Sequence, residues 1–300
     1  MSAPKSTVGA DLSLLAITAI WGATFVTVKS ALDDAAPMVF LSLRFLLGAS
    51  ATAVLARGRL RDPKVWRHGV VLGVLLFGGY ALQTLGLQHT TPARSAFLTG
   101  LTVIFVPFAA RVVARVPPVT EVPKLQGPMA LAIGLAAVGL WQLTGVEVST
   151  SVSRGDALTL LCAVAYAFHI SATSRLGQGV HPVALVTVQL LVTAGLSLAS
   201  LPFVDRRLVL STGLVGAVLL TGLIASALAI SVQVWAQTKT PAVRAAVIYS
   251  LEPAFAVFYG VVFGDGWPSA RELSGGALVV AAVLVAEVGT SWARRGEAVP

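Results

Sequence analysis

Residues Asp11–Ala31, DLSLLAITAIWGATFVTVKSA, decide the fold. The block carries charges only near its ends, at Asp11 and Lys29. At 1.5 Å per residue a helix of this length spans about 30 Å, the thickness of a bilayer's hydrocarbon core. In lipid only a helix or a closed barrel satisfies the backbone. A barrel strand would be about ten residues of alternating polarity, and this block is continuous and twice as long. Nor does it read as a cleavable signal peptide. It is too long, and Lys29, Asp33 and Asp34 follow with no small-residue cleavage pattern before them.

Nine further blocks of the same kind follow: Pro37–Ala56, His68–Leu87, Pro92–Val113, Leu125–Leu143, Asp156–Ser174, Pro182–Leu201, Ser211–Ala236, Pro241–Phe263 and Leu273–Trp292. The chain is 56% hydrophobic and 11% charged, with a mean hydropathy of +0.85. Soluble domains carry about 25% charged residues, so this chain cannot coat a water-soluble surface. The expected class is all-α integral membrane, with ten transmembrane helices and the lipid bilayer as partner. Short connections leave no room for a soluble domain. The net charge of +8 does not indicate nucleic acid, because the basic residues sit in short loops where they set membrane topology. The single cysteine, Cys162, lies within an apolar block and reads as a packing residue.

Loop charges orient the chain. With the N-terminus inside, the inner loops hold Lys5, Arg57, Arg59, Arg61, Lys64, Arg67, Arg111, Arg115, Lys124, Arg175, Lys239, Arg294 and Arg295. The outer side holds Lys29, Arg94, Arg154, Arg206, Arg207 and Arg271, with most of the acids: Asp33, Asp34, Glu147, Asp156, Asp205, Asp265 and Glu272. Both termini are expected in the cytoplasm of a cell whose inner (plasma) membrane holds the protein.

The two halves resemble each other. Ala19-Ile20-Trp21-Gly22-Ala23 matches Val164-Ala165-Tyr166-Ala167-Phe168, Pro37 matches Pro182, and Gly127 matches Gly275. Thr91-Pro92-Ala93-Arg94-Ser95-Ala96 matches Thr240-Pro241-Ala242-Val243-Arg244-Ala245-Ala246 with one extra residue. Apolar helices share Ala, Val and Leu in any case, but the matched Thr-Pro-Ala and Arg positions argue for a duplication. Five helices per half is an odd number, so the halves, 11–144 and 155–292, are expected to insert in opposite directions as an inverted repeat.

These residues resemble the drug/metabolite transporter superfamily, in its ten-helix EamA-type members. The resemblance covers nearly the whole chain. It rests on Ile20-Trp21-Gly22-Ala23-Thr24-Phe25, Leu43-Arg44-Phe45-Leu46-Leu47, Ala96-Phe97-Leu98-Thr99-Gly100-Leu101 with Val106-Pro107, and Ser250-Leu251-Glu252-Pro253, in that order. Two departures are Thr-Pro-Ala for the common Thr-Ser-Ala, and Phe263-Gly264-Asp265 where Gly-Glu commonly closes the helix. The resemblance implies a secondary transporter, and an exporter of a small metabolite or drug-like solute.

Ionisable groups deep in a membrane are costly and are functional candidates. Arg44 lies about 10 Å into its helix from one face and Glu252 about 16 Å from the other, so their depths are similar. They either pair or Arg44 grips a substrate carboxylate; the plain alternative is that Arg44 satisfies helix-end carbonyls or snorkels outward. Pro253 removes a backbone donor next to Glu252 and bends the helix, which suits a gate. Glu252 is the candidate for proton coupling, against a structural acid bonded to nearby backbone. Glu287 reads as an interfacial acid beside Arg294 and Arg295.

Trp21, Thr24, Tyr80, Gln83, Thr84, Thr99, Tyr166, His169, Gln233, Trp235 and Tyr249 are candidates for a cavity lining, since aromatic walls with sparse hydrogen-bonding groups suit a small amphipathic solute. The interfacial aromatic belt competes for Tyr80 above all, and His169 reads more simply as a packed group than as a relay. Arg94 and Arg244, matched between the halves near opposite faces, are candidate gates or interfacial anchors. Gly69 and Gly73, with Ala225, Ala229, Gly134 and Ala130, read as small faces for helix packing.

No phosphate-binding Gly-Lys loop, HExxH or nucleophile elbow is present, so no enzyme activity, metal or cofactor is expected. The rival readings are a membrane enzyme acting on a lipid-linked substrate, for which the loops offer no catalytic cluster, and a passive channel. Substrate and coupling ion stay open, as does the choice between monomer and homodimer.

Overall fold

The computed structural model describes residues 8–115, 127–144, 153–263 and 267–296, with backbone only for 260, 261, 263 and 287–296. Lys5, Lys124, Leu125, Glu147, Gly264 and Asp265 lie outside the described residues, as do the side chains of Glu287, Arg294 and Arg295.

Among the described residues the fold is all-α, with ten helices. They are α1 (Val8–Asp34), α2 (Pro37–Ala56), α3 (Pro63–Leu87), α4 (Pro92–Ala114), α5 (Gly127–Leu143), α6 (Arg154–Leu176), α7 (Pro182–Ser200), α8 (Thr212–Gln237), α9 (Ala242–Tyr249 continued by Glu252–Phe263) and α10 (Ala270–Gly296). Eight are long and apolar enough to cross a bilayer, and α5 is a shorter apolar helix.

Capping explains where the helices begin earlier than hydropathy suggests. α3 starts at Pro63, not near His68, because Asp62 accepts a hydrogen bond from Lys64 N and Pro63 occupies the first turn. The added turn holds Lys64, Trp66 and Arg67, all exposed, which no hydrophobic count would include. α6 begins with a reciprocal capping box between Ser153 and Asp156. The same pairing, Ser269 with Glu272, opens α10 at Ala270.

The helices pack as two exchanged sets. α2 packs on α7, and α5 on α10; α3 packs on α6 and α7 just as α8 packs on α1 and α2. The main helix contacts thus recur five helices on, which is the signature of two repeats related by a pseudo-two-fold axis. Since each repeat holds five helices, the second runs in the opposite direction.

Small residues sit where backbones touch. A Cβ on Gly48 would lie 2.8 Å from Gly222 O, and one on Gly222 would lie 2.9 Å from Arg44 O, so α2 and α8 meet backbone to backbone. Gly69 and Gly73 face Val188 and Val192 of α7. Gly134 and Ala130 do not serve this purpose: both are exposed, and Gly134 has nothing near its Cβ position. The outer wall is apolar, with Leu12, Val26, Leu55, Val70, Phe108, Leu161 and Leu284 facing outward. At one end, Ala36 N donates to Arg207 O (2.8 Å) and Val209 N to Asp34 O (2.7 Å), tying the α1–α2 link to the segment before α8.

Candidate functional site

α1 is interrupted at Ala23, and two further helix breaks match each other between the repeats. α4 is interrupted at Leu101, between Gly100 and Thr102, and α9 at Ser250 and Leu251. Leu101 and Leu251 are 150 residues apart, so the breaks correspond between the repeats. Interrupted helices free backbone groups, and in lipid these are tolerated only where they line a cavity or are buried in protein.

A cavity of about 100 Å³, counted as space open to the centre of a water molecule, lies beside both breaks. One water needs roughly 10–15 Å³ on this measure, so the cavity has room for a small solute. Its lining includes Trp21, Thr24, Arg44, Tyr80, Gln83, Thr84, Thr99, Tyr166, His169, Gln233, Tyr249 and Glu252, together with Gly100, Thr102 and Ser250 at the breaks.

Arg44, on α2, is only 3% exposed. Its Nε donates to Ser226 Oγ at 2.8 Å and its Nη2 to Tyr80 Oη at 3.3 Å. The guanidinium lies 4.5 Å from the Tyr80 ring centroid and 5.2 Å from that of Phe45. Ser226 reaches it from a π-helical stretch of α8, Leu220–Leu228, whose Ala225 carbonyl also accepts from Trp21 Nε1 at 2.9 Å. π segments widen a helix and displace individual residues, and they recur at functional sites. Here successive residues of one such segment hold two side chains of the other repeat.

The opposite wall is polar in a chain of contacts. Tyr166 Oη donates to Gln83 Oε1 (3.2 Å), and Gln83 Nε2 donates to Thr99 Oγ1 (3.2 Å). The Tyr166 ring stands edge-on to Tyr80, 5.5 Å between centroids, and Trp21 meets Tyr249 in the same way at 5.5 Å. His169 shares a 2.9 Å hydrogen bond with Gln189 Oε1 behind the wall, and Gln233 Nε2 donates to Gln237 Oε1 at 3.0 Å. Glu252 and Pro253 open the second half of α9, where the missing Pro253 N–H falls in the first turn. Among the described residues Arg44 has no carboxylate within ion-pair distance, and Glu252 has no cation.

One residue expected in the lining falls elsewhere, and the two arginines expected near opposite faces stand at helix starts. Trp235 is not in the lining: it is 38% exposed near the end of α8, with Lys239 Nζ 3.8 Å above its ring. Arg94, in the first turn of α4, pairs with Asp156 of α6, Nε to Oδ1 at 2.6 Å. Arg244, in the first turn of α9, pairs with Asp11 of α1, Nη2 to Oδ2 at 2.6 Å. Tyr80, for which the interfacial belt is the strong competing reading of the sequence, is 8% exposed and lies inside. Ser226 left no trace in the sequence, being one serine in an apolar block. Asp11 and Asp156 did leave one: both are first-turn acids, spaced by the offset that separates the repeats.

Ten helices in two inverted halves around a cavity lined by aromatic and polar side chains make this a multi-pass membrane protein of transporter architecture. The chain belongs to the EamA-like transporter family, which matches it twice, over residues 8–141 and 153–287. It is similar to an uncharacterized transporter of Archaeoglobus fulgidus, 29% identical over 278 residues that cover 92% of this chain and 85% of the relative. In fold it is similar to a protein of known crystal structure, with a TM-score of 0.77 at 21% identity over 94% of this chain and 98% of the other.

Proposed function

We propose that the protein is a secondary transporter, working as an exporter in the inner (plasma) membrane, that moves an amino acid or related small amphipathic solute by alternating access. One observation carries this reading: Arg44 and Glu252, of opposite charge and with no ion-pair partner among the described residues, line one cavity whose other walls are aromatic and polar. Isolated charges in a membrane interior are expensive, and a ligand bearing both a carboxylate and an ammonium would satisfy both. Trp21, Thr24, Gln83, Thr99, Tyr166, His169, Gln233 and Tyr249 then form the binding walls. Export follows the family's usual direction and is not a property of these residues.

In this reading the ends of α4 and α9 are the gates, with Arg94 and Arg244 at their tips and Pro253 at the bend of α9. Glu252 is the group that loads and releases a proton during the cycle. Both termini lie in the cytoplasm, so the Arg244 end faces inward and the Arg94 end outward.

The test is a thermal-shift screen of purified protein against amino acids and related metabolites, repeated for Arg44→Ala and Glu252→Gln. Stabilisation by any hit should disappear in both variants, and the hit should be moved in proteoliposomes at a rate that responds to a pH gradient. A hit that stabilises both variants as well as the wild type would refute the site assignment. A hit bound in the cavity but never moved would refute transport.

A further inference from the structure

The two ion pairs are copies of one another. Thr90 Oγ1 and Arg94 Nε both reach Asp156 Oδ1, at 3.3 and 2.6 Å. Thr240 Oγ1 reaches Asp11 Oδ1 at 2.8 Å, and Arg244 Nη2 reaches Asp11 Oδ2 at 2.6 Å. The threonine precedes the arginine by four residues in both places. The threonines and arginines are offset by 150 residues between copies, and the aspartates by 145. In each copy the Thr and Arg belong to the start of α4 or α9, and the Asp to the start of a helix in the other half, α6 or α1. One pair therefore ties the repeats together at one end of the bundle, and its copy ties them at the other.

Each arginine also stands at the tip of a lever. Pro92–Gly100 and Ala242–Tyr249 are short half-helices that end at the breaks beside the cavity. Thr99 and Tyr249, five residues beyond Arg94 and Arg244, line that cavity. A half-helix hinged at its break and released at its tip would uncover the cavity on its own side only.

The geometry points to Asp156 and Asp11 as the counter-groups of two matched latches, whose alternate release opens the cavity to one membrane face and then to the other. This inference rests on the alternating-access reading above and supplies its gates. Both latches are closed in this structure. The latches are not equal. The Arg244 and Asp11 side chains are 4% and 12% exposed, whereas Arg94 is 27% exposed against 5% for Asp156. Solvent already reaches the Arg94 guanidinium and weakens its attraction, so the outer latch opens first.

The experiment uses full-length protein carrying Thr24→Cys in the cavity wall and Cys162→Ala to remove the native thiol. A membrane-impermeant cationic methanethiosulfonate is added to right-side-out or inside-out vesicles. With both latches intact, labelling is slow from both faces and faster from the Arg94 face. Arg94→Gln raises labelling by at least about tenfold from the Arg94 face alone, a factor that corresponds to about 1.4 kcal/mol. Arg244→Gln does the same from the opposite face alone. The exchanged pair Asp11→Arg with Arg244→Asp restores slow labelling, which a loosened or misfolded helix would not do. Rates that ignore both single changes, or an exchange that restores nothing in protein that still runs as one monodisperse species, would overturn the latches. If labelling from each face rises and falls with solute regardless of the latch residues, alternating access stands without them. A single change that opens both faces at once would overturn alternating access itself.

Discussion

Two neighbouring glycines on α3 test the cavity wall. A Cβ on Gly79 would run into Tyr166 Cε1 and lie 2.5 Å from Cδ1 and 3.0 Å from Cζ, whereas one on Gly78 would meet only Ala165 Cβ, at an ordinary 3.8 Å. Gly79→Ala must therefore push the Tyr166 ring aside. The ring can only leave by giving up its hydrogen bond to Gln83 and its edge-on contact with Tyr80. The lost hydrogen bond is worth about 0.5–1.5 kcal/mol and the lost aromatic pair about 0.5–1.5 kcal/mol. Replacing a helical glycine by alanine returns about 0.5–1 kcal/mol. Gly78→Ala gains that last contribution without the losses, so the two variants should differ by about 1–3 kcal/mol, the sum of the two lost contacts. Thermal unfolding of both in one detergent should give Gly78→Ala a midpoint at or above the wild type and Gly79→Ala a midpoint several degrees lower. Gly79→Ala should also lose the stabilisation by solute, because the displaced ring enters the cavity. A Gly79→Ala midpoint at or above that of Gly78→Ala would show that Tyr166 is not held as described.

Gly275→Ala should be more damaging still, since its Cβ would meet the backbone of Leu143 and lie 2.7 Å from Gly139 O where α5 and α10 touch; Gly276→Ala, facing Leu143 Cδ1 at 3.6 Å, should be tolerated, and parallel thermal melts of the two compare them directly. Trp21→Phe leaves the Ala225 carbonyl without its 2.9 Å donor and should cost about 0.5–1.5 kcal/mol in the same melt, together with weaker solute binding. Asp62→Ala removes the N-cap of α3 far from the cavity and should lower stability by about 0.5–2 kcal/mol while solute affinity, read by titration, stays unchanged.

The helices were legible because a bilayer imposes a length and a composition on anything that crosses it, and Asp11–Ala31 alone meets both. Their starts were less so. Pro63 begins α3 through a cap and a charged first turn, and capping answers to local geometry, not to hydropathy. Charge alone was enough to flag Arg44, since an arginine inside an apolar block is rare. What charge could not show is that Ser226 and Tyr80 hold it, because those contacts are made across α2, α3 and α8 and have no fixed spacing in sequence. Trp235 shows the converse limit. It is near Gln233 in sequence, but two residues on a helix turn a side chain by about 200°, and the ring faces outward under Lys239.

The register of the repeat is set by contacts across the bundle and not by the letters the two halves share. Read by letters, Thr91-Pro92-Ala93 falls on Thr240-Pro241-Ala242 and leaves one residue over before the arginine. In space Thr91 is the N-cap of α4, accepting from Arg94 N, while Pro241 holds the N-cap position of α9 and makes no side-chain cap. The threonine that shares Thr240's role is Thr90, because it is Thr90 that bonds the aspartate of the opposing half. On that alignment Arg94 falls on Arg244 and Leu101 on Leu251 with no insertion. The identical tripeptide is one position out of register, and the true register is the one in which each threonine faces an acid across the bundle.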